Sequence, residues 1–363
     1  MKGSLFLGRV FNVAIKVHWT FLLIIAWVSF LELKRGGNVQ NVLMSIFFVL
    51  LVFICVVLHE FGHILTARKF GVSTKKITLL PIGGIASMDT IPENPKEELL
   101  ISLAGPAVNI VIALLLVLFI PFELLVGQNS SYMDSNLSHV TIENLVLYLF
   151  STNVILALFN FIPAFPMDGG RIFRALLALR MDRVKATSIA TGLGEIIAFV
   201  FLLIGALYNP FLILIALFIY FGATSENKMV QQLALIKGHS VKEAMLTKIT
   251  VLKPDNTIGD VIDILLKSTE KNFIVVEDSK IIGILHHQDI LSKSKNKDLR
   301  IKDIMDISFA SIDAAEELKE VFVLMNTKKK DFFAVTSNNE LVGAIDLPNI
   351  SEFILIQSNL ITR

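Results

Sequence analysis

Apolar and polar positions divide this chain into two halves of different solvent class. Long runs with few or no charges occupy residues 17–33, 41–66, 99–121, 144–163, 188–207 and 209–223. A helix needs about 20 mostly apolar residues to cross a bilayer, so these runs predict about six spanning helices, the first and last of them short. Before the first run, residues 5–17 alternate in part, the pattern of a short strand or hairpin at the membrane surface. The stretch Leu79-Leu80-Pro81-Ile82-Gly83-Gly84-Ile85-Ala86 is apolar, short and glycine-bearing. Non-helical backbone is tolerated at membrane depth only where protein or water covers it. The segment 71–95 therefore reads as a hairpin dipping toward the bundle interior, with an apolar surface turn as the alternative. From about residue 240 the pattern is mixed and charged, as in a soluble domain.

Composition agrees with this division. Of 363 residues, 54% are hydrophobic, and the mean hydropathy of +0.67 is too high for an ordinary soluble protein. A net charge of +1 argues for neither a nucleic acid nor an acidic partner. The one cysteine, Cys55, excludes an intramolecular disulfide and reads as a buried membrane-helix residue. The first residues lack the pattern of a cleavable signal peptide, so the first span serves as the targeting signal. Basic residues set the topology. Lys2, Arg9 and Lys16 precede the first span, Arg68, Lys69, Lys75 and Lys76 follow the second, and Arg171, Arg174, Arg180, Arg183 and Lys185 follow the fourth. Between Lys96 and Arg171 there is no Lys or Arg, and residues 122–143 carry only acidic charge. The positive-inside rule then places that loop outside and both termini in the cytoplasm, with Lys34 and Arg35 as a minor violation. The expected protein is multi-pass in a cell membrane, the bacterial inner membrane by preference.

One apolar run carries chemistry. Val42–Leu58 has no charged side chain, yet His59-Glu60-Phe61-Gly62-His63 follows directly. On a helix, H-E-x-x-H sets two imidazoles at i and i+4 on one face, where both can bind one zinc ion. Ionisable residues at membrane depth are functional candidates by default. A hydrolytic zinc takes three protein ligands and leaves one position open. Asn160-Phe161-Ile162-Pro163-Ala164-Phe165-Pro166-Met167-Asp168-Gly169-Gly170, at the end of the fourth run, offers one carboxylate in a proline-broken, glycine-flanked segment. Asp168 is read as the third ligand in preference to a helix cap. Arg68 follows His63 by five residues, about 7.5 Å along a helix, which puts the site near the cytoplasmic face.

Together, His59-Glu60-Phe61-Gly62-His63 and Asn160-x-x-Pro163-x-x-Pro166-x-Asp168-Gly169-Gly170 resemble the site-2 protease family of intramembrane zinc metalloproteases. Ala104-Gly105-Pro106-Ala107-Val108-Asn109 is similar to that family's Gly-Pro-x-x-Asn element, and Gly83-Gly84 to its membrane-dipping loop. The resemblance covers residues 1 to about 225. It implies one zinc per chain held by His59, His63 and Asp168. It also implies Glu60 as general base, taking a proton from the attacking water and passing it to the leaving amine. Asn160 would contact the substrate backbone or the oxyanion, and Asn109 would do similar work or make a helix-packing hydrogen bond. Gly105 reads as a close-packing residue. The implied substrate is a membrane protein whose transmembrane helix unwinds at the site.

The soluble half contains a repeat. Val241-Lys242-Glu243-Ala244-Met245 echoes Ile301-Lys302-Asp303-Ile304-Met305, and Ile281-Ile282-Gly283-Ile284-Leu285 echoes Leu341-Val342-Gly343-Ala344-Ile345, both at an offset of 60 residues. Each unit reads as strand, helix, strand, strand, helix. In the first these fall at 249–252, 257–268, 273–277, 281–285 and 288–292, and in the second a helix is expected at 314–328 and a strand at 332–336. This resembles a pair of CBS motifs packed as one α/β sensor domain. Of the positions that hold an adenine nucleotide in such pairs, occupied here by His286, Asp289, Asp346 and Asn349, only Asp289 matches. Acidic Asp346 would repel a phosphate. Nucleotide binding is left open beside dimerisation or substrate docking. Adjacent His286-His287 reads as surface, and Lys328-Lys329-Lys330 as a solvated helix end.

The reading is a polytopic α-helical membrane protein with a cytoplasmic α/β CBS-pair domain. Its divisions are a protease domain (1–223), a linker (224–239) and CBS motifs at 240–295 and 296–363. The function is intramembrane zinc endopeptidase, modulated by the CBS pair, in contact with membrane lipid and able to form a homo-oligomer through that pair. The alternatives are a silent scaffold or transporter-like regulator, and a zinc transporter. Intact Glu60 and three ligands argue against silence, and a single visible site argues against a transport path.

Overall fold

The computed structural model describes residues 3–81, 83–88, 92–121, 139–328 and 330–361. The loop expected outside lies at 122–143, and its residues 122–138 fall outside the described ones, as do Ile82 of the glycine-bearing stretch and Lys329. The chain forms two compact units, one ending at Val230 and one beginning at Gln231.

The first unit opens with a hairpin, β1 (Ser4–Val10) and β2 (Val13–His18), turned by Phe11 and Asn12 at positive φ, the geometry of a two-residue hairpin turn. Helix α1 (Phe21–Lys34) follows, then α2 (Val39–Lys69), β3 (Thr74–Leu80), β4 (Gly83–Met88) and α3 (Pro95–Val117). After the undescribed segment come α4 (Leu145–Phe161), α5 (Asp168–Ala178), α6 (Arg183–Leu207) and α7 (Phe211–Ile236). The four strands make one sheet in the order β1-β2-β3-β4, with β2 parallel to β3 and the other pairs antiparallel. The hairpin expected at 71–95 is thus β3–β4.

Among the described residues four helices, α2, α3, α6 and α7, are long and apolar enough to cross a membrane. Two of the six expected spans fall short. The first loses its beginning to β2, leaving 14 residues in α1, about 21 Å at 1.5 Å per residue. The fourth is the 17-residue α4, ended by the two prolines downstream. The last continues well past the expected residue 223, because residues 224–236 remain helical.

One apolar cluster fixes the sheet beside the motif helix. Val13, Ile77 and Leu79 from β2 and β3 pack with Phe21 of α1 and with Val49, Phe53, Phe61 and Ile64 of α2. The buried face of α2 also carries His59 and His63, so the sheet and the imidazoles share one helix.

The second unit contains the repeat. Its first half is α8 (Val241–Ala244), β5 (Val251–Leu252), α9 (Ile258–Lys267), β6 (Phe273–Glu277), β7 (Lys280–Leu285) and α10 (His287–Lys293). Its second is β8 (Ser311–Asp313), α11 (Leu318–Lys328), β9 (Phe332–Ser337), β10 (Glu340–Asp346) and α12 (Leu347–Ile361). The hairpins turn on Asp278-Ser279 and Asn338-Asn339, all at positive φ. Helix α11 starts four residues later than expected because Ala314 is still tied to β9, donating its N–H to the Thr336 carbonyl. Ile274, Ile284, Phe332, Ala334 and Ala344 join the two three-stranded sheets in one core.

Candidate metal centre

His59 and His63 lie one turn apart on the buried face of α2, and Asp168 opens α5. Asp168 Oδ2 is 3.3 Å from His59 Nε2 and 3.2 Å from His63 Nε2, and the two Nε2 atoms are 3.1 Å apart. Among the described residues this is the group of three whose donor atoms could hold a metal. The spacing fits zinc. Metal–ligand bonds of about 2.0–2.1 Å in a tetrahedron separate neighbouring donors by about 3.3 Å. All three residues are buried.

The outer imidazole nitrogens are also engaged. His63 Nδ1 lies 2.7 Å from the Ile101 carbonyl oxygen. A carbonyl can only accept, so Nδ1 carries the proton and Nε2 turns its lone pair inward. His59 Nδ1 lies 2.7 Å from Asn109 Oδ1. Asn109 has no exposed surface and donates from Nδ2 to Asn153 Oδ1 at 3.3 Å. The Asn109 amide thus faces His59 on one side and Asn153 on the other, which is the helix-packing hydrogen bond expected as the alternative to a substrate contact. Asn160 is half-buried near the end of α4.

Gly105 has a close-packing role. A Cβ there would come within 2.2 Å of His63 Nε2 and 2.7 Å of His59 Nε2, so only glycine leaves room for the paired rings. Gly84 performs the same service for Glu60: a Cβ would come within 2.8 Å of Glu60 Cγ and 3.1 Å of Oε1. The general-base candidate thus lies against β4, the edge strand of its sheet.

A buried ion network lies two turns beyond Asp168. Fully buried Arg174 bonds Glu98 through Nε (3.0 Å) and Nη2, and Glu226 through Nη1 (2.6 Å). Its guanidinium also stacks over Phe165, 4.9 Å from the ring centroid. Arg183 Nη1 is 3.2 Å from Glu98 Oε2. This network fastens α5 to α3, α6 and α7. The sequence reading used Arg174 only as a topology marker and missed Asn153, whose signal was a lone amide in the middle of an apolar run.

Asp289 lies in the first turn of α10, half-buried, with His286 as the residue before that helix. His286 Nε2 is 3.7 Å from Asp306 Oδ2. Asp346 accepts the Asn349 N–H at 2.8 Å, and burial pushes its carboxyl above the usual range. At the junction of the two repeats a cavity of only about 20 Å³ is lined by Thr250, Glu270, Asn272, Phe332 and Asp346. Both Glu270 oxygens accept from the Thr250 N–H at 3.1 Å.

Comparisons with known proteins assign families to two parts of the chain. Residues 47–205 match the model of peptidase family M50, and residues 241–296 that of the CBS domain. Zinc metalloprotease MJ0392 of Methanocaldococcus jannaschii is 34% identical over 354 residues, covering 96% of each chain. Stage IV sporulation protein FB of Bacillus subtilis is 27% identical over 48% of this chain and 52% of its own. Among solved structures, the site-2 protease from Methanocaldococcus jannaschii is 37% identical, covers 62% of this chain and 95% of its own, and superposes with a TM-score of 0.45.

Proposed function

The chain belongs to peptidase family M50, the zinc metalloproteases that include site-2 protease, and from that premise we propose that it cleaves transmembrane segments of membrane proteins near the cytoplasmic face. It is a zinc metalloendopeptidase with a CBS-pair domain. The observation that carries the finer reading is the triangle of His59 Nε2, His63 Nε2 and Asp168 Oδ2 with sides of 3.1–3.3 Å, both imidazoles of which stand on α2, a helix apolar enough to span a membrane.

In this reading His59, His63 and Asp168 hold zinc. When bound, zinc supplies a nucleophilic water near neutral pH and polarises the scissile carbonyl. Glu60 takes the proton of the attacking water on its carboxylate and delivers it to the nitrogen of the leaving segment. A helical substrate hides its amides in its own hydrogen bonds, so it must unwind first. Strand β4 offers a place for the unwound segment, since its outer edge is unpaired among the described strands and its Gly84 touches Glu60. Backbone pairing there would hold an extended substrate beside the base. Asn160 is the proposed contact to the substrate backbone.

The position of Arg68 and Lys69 at the end of α2 supports a site near the cytoplasm and cytoplasmic termini. The protein is then multi-pass in the cell membrane, with the CBS pair as its regulatory part, by dimerisation or by a ligand. A phosphate-bearing adenylate is disfavoured there, because the carboxylates of Glu270 and Asp346 outnumber the one cation, Lys271, that lines the small cavity between the repeats.

The test is cleavage of a single-span reporter with glycine and proline near its cytoplasmic end, in liposomes with the purified chain. Glu60→Gln retains one zinc per chain and loses cleavage, whereas Asp168→Ala loses both. Wild-type cleavage rates from Glu60→Gln would remove Glu60 as the base.

A further inference from the structure

Asn153 sits in the middle of α4, fully buried, and touches neither an imidazole nor Asp168 among the contacts it makes. Its Nδ2 donates to the Leu149 carbonyl at 2.8 Å and approaches Cys55 Sγ at 3.4 Å. Its Oδ1 accepts from Asn109 Nδ2 at 3.3 Å, and Asn109 Oδ1 faces His59 Nδ1 at 2.7 Å.

We propose that Asn153 is a positioning residue for zinc binding, which sets the tautomer of His59 through the amide of Asn109. This inference rests on the metalloprotease reading above. The logic starts from a group that cannot change its role. The Leu149 carbonyl only accepts, so Asn153 must turn its NH₂ toward it and its oxygen toward Asn109. That oxygen only accepts, so Asn109 must present its own NH₂ to Asn153 and its oxygen to His59. An oxygen at Nδ1 requires a proton there, which leaves the Nε2 lone pair free for metal. His63 needs no such relay, because a backbone carbonyl already faces its Nδ1. His59 is the ligand whose outer partner, an amide, could flip.

A flipped Asn109 would offer NH₂ to His59 Nδ1, favour the Nε2–H tautomer and block coordination. Asn153 prevents this. Partners of this kind behind metal-bound histidines typically change metal affinity about 10–100-fold when removed.

Three variants of the full chain in detergent, titrated with zinc against a competing chelator, test the relay. Asn153→Ala, one step behind the direct partner, weakens zinc binding up to about tenfold, the lower end of that range. Asn153→Ser restores most of that loss, because a serine hydroxyl can donate to the carbonyl four residues back while its oxygen accepts from Asn109. In the Asn109→Asp background Asn153→Ala costs no zinc affinity, since a carboxylate offers His59 an acceptor in either orientation and the alanine removes an oxygen that would otherwise face it. Equal losses from Asn153→Ala in both backgrounds would mean that Asn153 only fills space, and no loss in either would also overturn the proposal. If Asn153→Ala does not fold, the nitrogen chemical shifts of His59 in zinc-free wild-type protein decide: the relay requires the Nδ1–H form, and a predominant Nε2–H form overturns it. Failure of the wild-type chain to bind one zinc would instead sink the metalloprotease reading.

Discussion

Arg174 and Arg300 both face carboxylates, one sealed inside the membrane unit and the other standing in water. Arg174 has no exposed surface and divides its guanidinium between Glu98 and Glu226. Arg300 and Lys302 meet Asp255 at 3.1 and 3.0 Å, but all three side chains are largely exposed. Similar distances therefore carry different consequences. In the first case each group has lost its water and depends on its partner; in the second, water remains as an alternative partner for all of them.

Arg174→Met separates the two regimes most strongly. Removing one partner from a buried network leaves an uncompensated charge, at a cost of about 3–5 kcal/mol. Glu98 would keep only Arg183. The expected result is a lower unfolding midpoint of the full chain in mixed micelles, partly recovered by adding Glu226→Gln, which removes the carboxylate left without its ion-pair partner. If Arg174→Met unfolded no earlier than Arg300→Met, burial would not be what distinguishes the networks.

The metal centre was legible because its parts are short motifs with fixed geometry. H-E-x-x-H needs only a helix to bring His59 and His63 together, and Asp168 was the one carboxylate in its segment. The repeat was legible because two stretches echo each other at a constant offset. What escaped depends on contacts between distant segments. Asn109 and Asn153 are 44 residues apart, and Glu98 and Arg174 are 76 apart. Nothing local marks them as partners. For Asn109 both a substrate contact and a helix-packing hydrogen bond were open, because a motif shows that a residue matters without showing which way its side chain points. The start of the first run was hidden for a different reason: hydropathy does not distinguish the end of an apolar strand from the start of a helix, so residues 17–20 were merged with α1.

Asp346 tests the middle ground, half-buried at the end of β10. Burial raises its carboxyl pKa, Asp331 adds to the rise, and the Asn349 N–H and Lys271 oppose it. The folded state then holds the proton more tightly than the unfolded chain. Stability from this residue is greatest below the unfolded pKa of about 3.9 and falls as pH rises through the folded value. Asp346→Asn keeps an acceptor for Asn349 and removes that fall. The variant should gain modestly in thermal midpoint at neutral pH and lose the advantage in acid. An equal gain at all pH values would point to packing and not to charge.

Asp255→Asn should have the smallest effect, because the segments it joins are already tied by backbone. Ile301 N–H donates to the Asn256 carbonyl and Lys302 N–H to the Pro254 carbonyl, so losing the side-chain bridge leaves the join intact. Lys302 and then Arg300 hold the Asp255 carboxyl below its ordinary range. Whatever stability it adds is thus present above the unfolded pKa and lost as pH falls toward the folded one. At physiological ionic strength the Debye length is about 8 Å and exposed pairs are weakened further. Urea unfolding of wild type and Asp255→Asn followed by a probe in the second unit should give superimposable curves at physiological salt, with any separation confined to low salt. A salt-independent loss as large as that of Arg174→Met would show that an ion pair in water can support this fold as strongly as a buried one.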